Sequence, residues 1–284
     1  MQRIRAIGCL TGFLGLTLLS IPIQWVAVKL NLPWRDAYPV WYHRTILRLL
    51  GIRLIVHGEP VRGSGALLIA NHTSWLDMPV LSAVRPVSFV AKSEVSSWPL
   101  FGLLAELQRT IFVVRNARAK TGEQRDKMQS RLAEGDAIVL FPEGTSSDGN
   151  RVLPFNSSLL GAAQFKIADG ARDVPVQPVS VAYTRLHGLP MGREYRPFFA
   201  WYGDMELVPH LWEAFMLGPI DVVIEFHPPL TISACGSRKA LSARAEAIVS
   251  AGVAHALAGL EGPSGVVHAG AEDHDHVGIA VAHR

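Results

Sequence analysis

Seven short apolar runs, rich in valine and isoleucine, constrain the fold of this chain more than any other feature. Each has the length and the β-branched content of a strand, and helix-favouring segments lie between several of them. Strands that alternate with helices predict an α/β fold, with a mostly parallel central sheet of about seven strands flanked by helices on both faces. The runs are IRLIVHG (52–58), ALLIAN (66–71), VSFVAK (87–92), IFVVR (111–115), AIVLF (137–141), VQPVSVAY (176–183) and DVVIEF (221–226).

Three segments predict helices around these strands. TGEQRDKMQSRLAEG (121–135) begins with a capping-box pattern and ends in a glycine, and SSLLGAAQFKIADG (157–170) ends in the same way. KALSARAEAIVSAGVAHALAGL (239–260) is rich in alanine, the residue with the highest helix propensity.

The N-terminus predicts a membrane anchor. Residues 6–28 form an uncharged run of 23 residues between Arg5 and Lys29. As a helix the run would be about 34 Å long, enough for a hydrocarbon core of about 30 Å. A cleaved signal peptide is the alternative, although no small-x-small cleavage site follows. Pro22 and Gln24 permit a kinked or re-entrant helix, so the sequence leaves open whether the anchor spans the membrane.

Composition agrees with a protein that contacts a membrane. Charged residues make up 18% of the chain and hydrophobic residues 49%. The formal net charge of +3 suits an anionic lipid surface or an acidic protein partner and does not argue for nucleic acid. Basic residues are more numerous after the anchor than before it, which predicts a globular part on the cytoplasmic side. Cys9 and Cys235 support neither a disulfide framework nor a cysteine metal site.

These features divide the chain into three parts. Residues 1–50 hold the anchor and a second segment, YPVWYHRTILRLL, which predicts an amphipathic helix at the membrane interface or an ordinary surface helix. Residues 51–260 form the globular domain. Residues 261–284 are rich in Gly, Ala, His and Asp without periodicity, and we predict a disordered tail there.

The motif NHTSWLD (71–77) follows the second apolar run and contains the first candidate for chemistry. On one helix His72 and Asp77 would be about 140° apart, so their pairing requires a turn. If a helix begins near Ser74, Asp77 can accept a hydrogen bond from one nitrogen of His72 and leave the other as a base. No G-x-S-x-G motif occurs in the chain, so the nucleophile is predicted to be a substrate hydroxyl. The alternative is that these polar residues only cap a helix.

Two further polar blocks follow predicted strands. In FPEGTSSDG (141–149), Glu143 stands beside Gly144, where it can bind a hydroxyl or a cation, or form a solvated turn. Lys92 and Arg115 lie at strand ends, where they suit a phosphate or a carboxylate, or form surface ion pairs.

Taken in order, the blocks resemble the 1-acyl-glycerol-3-phosphate acyltransferase family of membrane-bound lipid acyltransferases. They are Asn-His-x-x-x-x-Asp, Lys-x-Glu, Ile-Phe-x-x-Arg, Phe-Pro-Glu-Gly-Thr and VPVQPVSV. The resemblance implies that His72 and Asp77 form the catalytic dyad. It implies an acyl-CoA or acyl-carrier-protein thioester as co-substrate, a lysolipid acceptor, and neither a metal nor another cofactor. The implied acceptor-binding residues are Lys92, Arg115, Glu143, Gly144, Thr145 and Ser146.

Ser146 departs from the pattern of family members that act on lysophosphatidate, which usually carry arginine at this position. A phosphate ester carries about −1.5 to −2 charge, and serine near Asp148 holds it less well than arginine. Strings such as AKSEVSSWPLFG and EGTSSDGNRVLPF are similar to the lyso-ornithine lipid O-acyltransferases, a bacterial branch of the family. Their acceptor resembles a zwitterion, of which Arg115 would hold the carboxylate and Glu143 or Asp148 the ammonium.

The resemblance therefore implies O-acylation of lyso-ornithine lipid to ornithine lipid, at the cytoplasmic face of a bacterial inner membrane. Acylation of lysophosphatidate is the alternative within the family. A lipid-binding membrane protein without activity is the alternative outside enzymes, and a serine hydrolase is disfavoured by the missing nucleophile motif.

Overall fold

A computed structural model of the chain describes residues 2–113, 121–167, 172–260 and 262–264. The helices are α1 (Gln2–Lys29), α2 (Ala37–Leu50), α3 (Asp77–Ser82), α4 (Phe101–Leu107), α5 (Thr121–Ala133), α6 (Leu207–Leu217), α7 (Ile232–Cys235) and α8 (Arg238–Leu257). Short 3-10 helices cover Ser93–Ser97, Ser157–Gln164 and Arg196–Phe198. The strands are β1 (Ile52–His57), β2 (Ala66–Ala70), β3 (Ser88–Lys92), β4 (Ile111–Val113), β5 (Ala137–Leu140), β6 (Lys166–Ile167), β7 (Arg172–Asp173), β8 (Val176–Leu186), β9 (Leu189–Pro190) and β10 (Ile220–Phe226).

The main sheet has the strand order β1-β10-β8-β2-β5-β3-β4, with β9 paired to β8 at its side. Neighbours along this order are parallel except β10 and β8, which run antiparallel. The mostly parallel sheet predicted from the sequence is therefore confirmed. All of the predicted runs form strands of this sheet, while β6 and β7 form a separate antiparallel pair.

Helices cover both faces of the sheet, and the burial of β2 shows why its sequence is continuously apolar. Ala66, Leu68 and Ala70 belong to one hydrophobic core, which the first three helices and α6 complete. Leu67 and Ile69 belong to the other core, on the side of α5, α8 and the 3-10 helix Ser157–Gln164. Since both faces are buried, every position of β2 must be apolar.

Helix α1 lies along the globular domain rather than apart from it. Arg5 near its start donates to the carbonyls of Leu50 and Phe215, and Gln24 near its end donates to the carbonyl of Leu107 at 3.1 Å. Its inner face is a stripe at helical spacing, formed by Ala6, Cys9, Phe13, Thr17, Ser20, Gln24 and Ala27. Its outer face exposes large apolar side chains, among them Ile4, Ile7, Leu18, Leu19, Ile23 and Trp25. By length and hydropathy it is a candidate membrane segment.

One predicted segment differs from its prediction. Residues 157–170 were expected to form one helix, but a 3-10 helix covers Ser157–Gln164 and the chain is then extended at Phe165, with φ −72° and ψ 153°. The buried Phe165 leads into β6, whose pairing with β7 requires an extended backbone. Of the predicted tail only 262–264 is described, and the backbone amide of Ser264 donates to Glu225 at 2.8 Å.

Candidate active site

The candidate site forms where β2 and β5 end side by side. The two strands are parallel neighbours, with Ile69 opposite Leu140, so the residues that follow each strand meet at one edge of the sheet. Asn71 ends β2, because its side-chain amide bonds to both backbone groups of Val181, at 2.8 and 2.9 Å, in place of a further strand pair. His72 comes directly after this terminating residue.

His72 and Asp77 are hydrogen-bonded to each other. The distance from His72 Nδ1 to Asp77 Oδ2 is 2.8 Å, and the same oxygen accepts from the backbone amides of Thr73 at 2.7 Å and Ser74 at 2.9 Å. The predicted turn is present, but α3 begins at Asp77 and not near Ser74, because these amide bonds hold Asp77 at the start of the helix. A proton on Nδ1 leaves the Nε2 lone pair as a base.

Tyr183 on β8 completes the surroundings of Asp77. Its hydroxyl donates to Asp77 Oδ1 at 2.6 Å, and both side chains are buried. Burial, together with the negative charge of Asp77, raises the pKa of Tyr183 well above 10, so the hydroxyl keeps its proton. Tyr183 was not among the residues predicted from the sequence. The available signal was its place at the end of the apolar run that pairs with β2.

An aromatic stack fixes the plane of the imidazole. The ring centroids of His72 and Phe141 are 4.2 Å apart with planes inclined by 18°. Phe89 stacks behind Phe141 at 6.3 Å. With its Nδ1 bonded and one face covered, His72 has one accessible direction, and its side chain is 17% exposed.

Glu143 contacts the backbone of the same turn. Its Oε1 accepts from the amide of His72 at 2.8 Å and its Oε2 from the amide of Leu153 at 3.1 Å. Burial raises the pKa of Glu143 to about 8, although the two backbone hydrogen bonds act in the opposite direction. The carboxyl group therefore joins the turn after β2 to the loop after β5.

A cavity of about 460 Å³ opens in front of His72, between the first two helices and the edge of the sheet. Of the residues predicted for the acceptor, Lys92, Gly144, Thr145 and Ser146 line it. Glu143 and Asp77 are not among its lining residues, and Arg115 lies outside the described residues. The remaining lining is mostly apolar, as an acyl chain requires, and includes Phe13, Ile46, Met78, Leu104, Val113 and Trp201.

The loop after β5 is fixed against the rest of the site. Gly144 has φ +70°, a conformation that glycine adopts without strain. Ser146 donates its hydroxyl to the carbonyl of Trp201 at 2.5 Å, and the amide of Ser147 donates to the carbonyl of His72 at 2.9 Å. Ser146 thus holds Trp201 at the cavity wall.

A second cluster has the composition of a hydrolytic triad but not its accessibility. Ser180 Oγ lies 2.7 Å from His227 Nε2, and His227 Nδ1 lies 3.6 Å from Glu225. All three side chains are buried, and Ser180 also donates to the carbonyl of Val249 at 3.1 Å. A Cβ atom added at Gly252 would be 2.2 Å from Ser180 Oγ, so no substrate carbonyl has room there. This cluster packs α8 against the sheet.

Metal binding finds no support in the part of the chain that the structure describes, where no group of three His, Cys, Asp or Glu side chains is placed to hold an ion. The described residues place a histidine with a free Nε2 beside a mostly apolar cavity.

The chain is similar to known proteins in sequence and in fold. Residues 53–182 match the model of the family described as Acyltransferase. The chain is 48% identical over 261 residues to the lyso-ornithine lipid O-acyltransferase of Brucella abortus (strain 2308), covering 92% of this chain and 98% of that protein. It is 32% identical to the 1-acyl-sn-glycerol-3-phosphate acyltransferase of Neisseria meningitidis serogroup B (strain MC58), covering 74% of this chain and 78% of that protein. Among solved structures, the 1-acyl-sn-glycerophosphate acyltransferase PlsC from Thermotoga maritima is similar in fold, with a TM-score of 0.64 at 22% identity, over 90% of this chain and 98% of that chain.

Proposed function

The chain belongs to the acyltransferase family, and from this premise we propose that it moves a fatty acyl group from a thioester to the hydroxyl of lyso-ornithine lipid. The observation that carries the proposal is the 48% identity with the Brucella protein over 92% of this chain. The His72–Asp77 pair at the wall of an apolar cavity supplies the chemistry.

In the proposed mechanism His72 acts as the general base. Its Nε2 takes the proton from the acceptor hydroxyl, and the oxygen attacks the thioester carbonyl. The C–S bond then breaks, and the carrier's thiolate leaves as a thiol with the proton that His72 returns. Asp77 orients the imidazole and stabilises its protonated form. In this proposal, backbone amides of the loop after β5 other than those of Gly144 and Ser147, which donate to carbonyls of the chain, stabilise the developing oxyanion. No acyl-enzyme, metal or further cofactor takes part, and the donor is acyl-carrier protein or CoA.

The charges at the cavity support a zwitterionic acceptor. In the described part of the chain, the cavity-lining side chains with a full charge are Lys92 and Glu94, two residues apart at the end of β3. A lysine suits the carboxylate of the headgroup and a glutamate its ammonium. Since the pair carries no net charge, it attracts a dianionic phosphate less than two cations would. The pairing expected from the sequence was Arg115 with Glu143 or Asp148. Arg115 lies outside the described residues, Glu143 uses both oxygens on backbone amides, and Asp148 is not among the lining residues. Lys92 and Glu94 therefore take these roles in the proposal.

A two-acceptor assay tests the choice of acceptor. The purified protein receives lyso-ornithine lipid or lysophosphatidate with one acyl-carrier-protein donor, and kcat/KM is measured for each. We expect a preference of at least tenfold for lyso-ornithine lipid. Lys92→Gln and Glu94→Gln should each raise the KM for this acceptor. A preference for lysophosphatidate, the reaction in the name of the Neisseria relative, would refute the proposal.

The chemical step has its own test in His72→Ala. This variant should lose nearly all turnover. It should still bind vesicles, because His72 lines the cavity and does not belong to the exposed apolar face of α1. Substantial acyl transfer by the variant would contradict the mechanism. It would also reopen the non-catalytic and covalent alternatives, which detection of an acyl-serine distinguishes.

The protein associates with a membrane, and we propose that this is the cytoplasmic face of a bacterial inner membrane. The domain contacts α1 near both of its ends, which supports a helix that stays packed on the domain at the membrane. Its exposed side chains, including Leu18, Leu19 and Trp25, suit insertion into one leaflet. The cavity lies beside the same helix, where an acceptor lipid can enter from the membrane.

A further inference from the structure

A polar cluster interrupts the apolar lining of the cavity away from His72. It consists of Gln24 on α1, His43 on α2 and Gln108 after α4, all of which line the cavity. Two acceptor atoms in this cluster, Gln24 Oε1 and His43 Nδ1, are buried and have no hydrogen-bond partner among the residues that the structure describes. A buried acceptor without a donor is unfavourable, so such a pair indicates a place for a donor from outside the chain.

The hydrogen bonds of Gln24 fix which of its atoms faces the cavity as an acceptor. Its Nε2 donates to the carbonyls of Arg35 at 2.8 Å and Leu107 at 3.1 Å. Both partners are carbonyl oxygens, which cannot donate, so the amide cannot be reversed and Oε1 stays an acceptor.

The same reasoning fixes the state of His43. Gln108 Nε2 donates to the carbonyl of Val87 at 2.8 Å, which turns Gln108 Oε1 towards His43 Nε2 at 3.2 Å. His43 must therefore carry its proton on Nε2, and Nδ1 is a bare acceptor. Burial lowers the pKa of His43 to about 4, so the ring is neutral at physiological pH.

The two bare acceptors lie in one region, because Gln24 bonds to Leu107 and His43 bonds to its neighbour Gln108. A cation is a poor occupant: the cluster contains no carboxylate, and transfer of an ammonium from water to neutral acceptors is strongly unfavourable. A neutral hydroxyl supplies one O–H donor and therefore satisfies one of the two acceptors, and a water molecule beside it satisfies the other. Since the cavity is otherwise suited to an acyl chain, the hydroxyl would belong to that chain.

We propose that Gln24 and His43 form a binding site for a hydroxyl group on the acyl chain of the donor, so that hydroxylated acyl thioesters are accepted as substrates. The inference rests on the acyl transfer proposed above. In the absence of such a chain, the site holds water.

The fold indicates where on the chain this hydroxyl would be. Asp77, the partner of His72, is the first residue of α3, and Ser82, which accepts from Gln108, is the last. The helix between them is about 8 Å long at 1.5 Å per residue. An extended chain with C–C bonds of about 1.5 Å covers that distance in roughly six carbons. With the side chains at both ends added, the site therefore fits a hydroxyl at least about six carbons from the thioester carbonyl, towards the middle of a long acyl chain, and not one beside that carbonyl.

The experiment compares three acyl-carrier-protein donors with lyso-ornithine lipid as acceptor. They are a plain long-chain donor, its 3-hydroxy analogue and an analogue hydroxylated near the middle of the chain. The wild-type protein should use the mid-chain hydroxyl donor within about threefold of the plain one, since a protein hydrogen bond replaces one to water. Gln24→Met and His43→Phe should each lower the ratio of kcat/KM for mid-chain hydroxyl to plain donor by roughly tenfold. The ratio for the 3-hydroxy donor should not change.

Thr17→Val is the matched control, because it removes the bond to Tyr42 from the same face of α1 without touching a bare acceptor. In this control, the ratio of kcat/KM for the mid-chain hydroxyl donor to the plain donor should equal that of the wild type. If the ratio of kcat/KM for the mid-chain hydroxyl donor to the plain donor is unchanged in both test variants, the site binds water only and the inference is wrong. An equal loss of this ratio in Thr17→Val would also overturn the inference. If Gln24→Met does not fold, His43→Phe decides alone. If the wild type uses the plain donor but discriminates a hundredfold against the mid-chain hydroxyl donor, this site is refuted and the proposed function stands. If no donor supports acyl transfer, both the site and the proposed function are refuted.

Discussion

Asp77 is the residue on which the geometry of the site converges. It accepts hydrogen bonds from His72, from two backbone amides and from Tyr183, while it is completely buried. A buried carboxylate needs such donors to remain charged, and in return they hold it in one orientation. The imidazole is therefore oriented before any substrate arrives, which is the condition for efficient general-base catalysis.

Replacement of Tyr183 tests this support without touching the substrate. Tyr183→Phe removes the bond to Asp77 Oδ1, and we expect kcat to fall about tenfold because a hydrogen bond to a charged group contributes about 1.5–3 kcal/mol. The KM for the acceptor should not change, since Tyr183 is not among the cavity-lining residues. Steady-state kinetics measure both constants. Tyr195→Phe, at an exposed position, is the control, and a raised KM with normal kcat would contradict the prediction.

Glu143→Gln separates a positioning role from an acceptor-binding role. Glutamine offers one oxygen, so an N–H of its amide would face the backbone N–H of His72 or Leu153. Displacement of the turn should lower kcat at least tenfold with little change in the KM for the acceptor. The opposite result, a large rise in KM at constant kcat, would support direct binding of the acceptor by this carboxyl group.

The same residue predicts a pH dependence of stability. The folded pKa of Glu143 is about 8, raised from 4.5, so the folded protein holds the proton more tightly than the unfolded chain. Its contribution is fully present below about pH 4.5 and is lost as the pH rises through about 8. Denaturant unfolding of the full chain should show a free energy of unfolding that declines across this window by up to a few kcal/mol. Glu143→Gln should reduce the slope, and an identical slope in both proteins would refute the assignment.

The spacing of residues in the sequence predicts contacts within one turn but not contacts between distant strands. The His72–Asp77 bond was predictable because both groups lie within one turn, whose geometry five residues determine. Tyr183 is 106 residues from Asp77, and no local pattern indicates the strand order that brings them together. The place of Glu143 was predictable from parallel strands, but its bond to a backbone amide was not, since a glutamate beside a glycine is compatible with several partners.

Among the elements, α1 differs most from what hydropathy alone implies. Its polar residues Thr17, Ser20 and Gln24 lie on one face at helical spacing, where they bond to Tyr42, Tyr38 and the backbone of the domain. That spacing is present in the sequence, but the prediction of a membrane anchor rested on hydropathy and did not use it. The helix predicted over 157–170 failed for a different reason, because the pairing of β6 with β7 overrides local helix propensity.

The outer face of α1 predicts the effect of a charge on membrane binding. Leu19 is 70% exposed on this face, and Leu19→Glu should lower binding to vesicles at least tenfold, through loss of about 1.5–3 kcal/mol of apolar contact. Vesicle sedimentation measures the bound fraction. Leu260→Glu makes the same change at a 58% exposed leucine after α8, which packs on the other face of the sheet. Equal losses in both variants would indicate that net charge alone governs binding.

At the scale of the molecule, the cavity is formed jointly by the N-terminal helices and the sheet. Phe13 and Ile46 line it from α1 and α2, and Phe141 lines it from the carboxyl end of β5. A ligand that fills it contacts elements from both parts, so binding should stabilise the whole fold and not one segment.

Because both parts of the protein line the cavity, a bound acyl thioester should stabilise the folded protein, and the stabilisation should increase with the length of the acyl chain. In His72→Ala, which should bind the thioester without consuming it, a long-chain acyl pantetheine at about a hundred times its Kd contributes about 2.7 kcal/mol. For a domain of this size the Tm should rise by roughly 5–10 °C. Acetyl pantetheine, which keeps the carrier portion shared by CoA and acyl-carrier protein, should leave the Tm unchanged because it fills none of the apolar volume. Equal shifts from both compounds would place the binding energy in the carrier portion and argue against an acyl chain in the cavity.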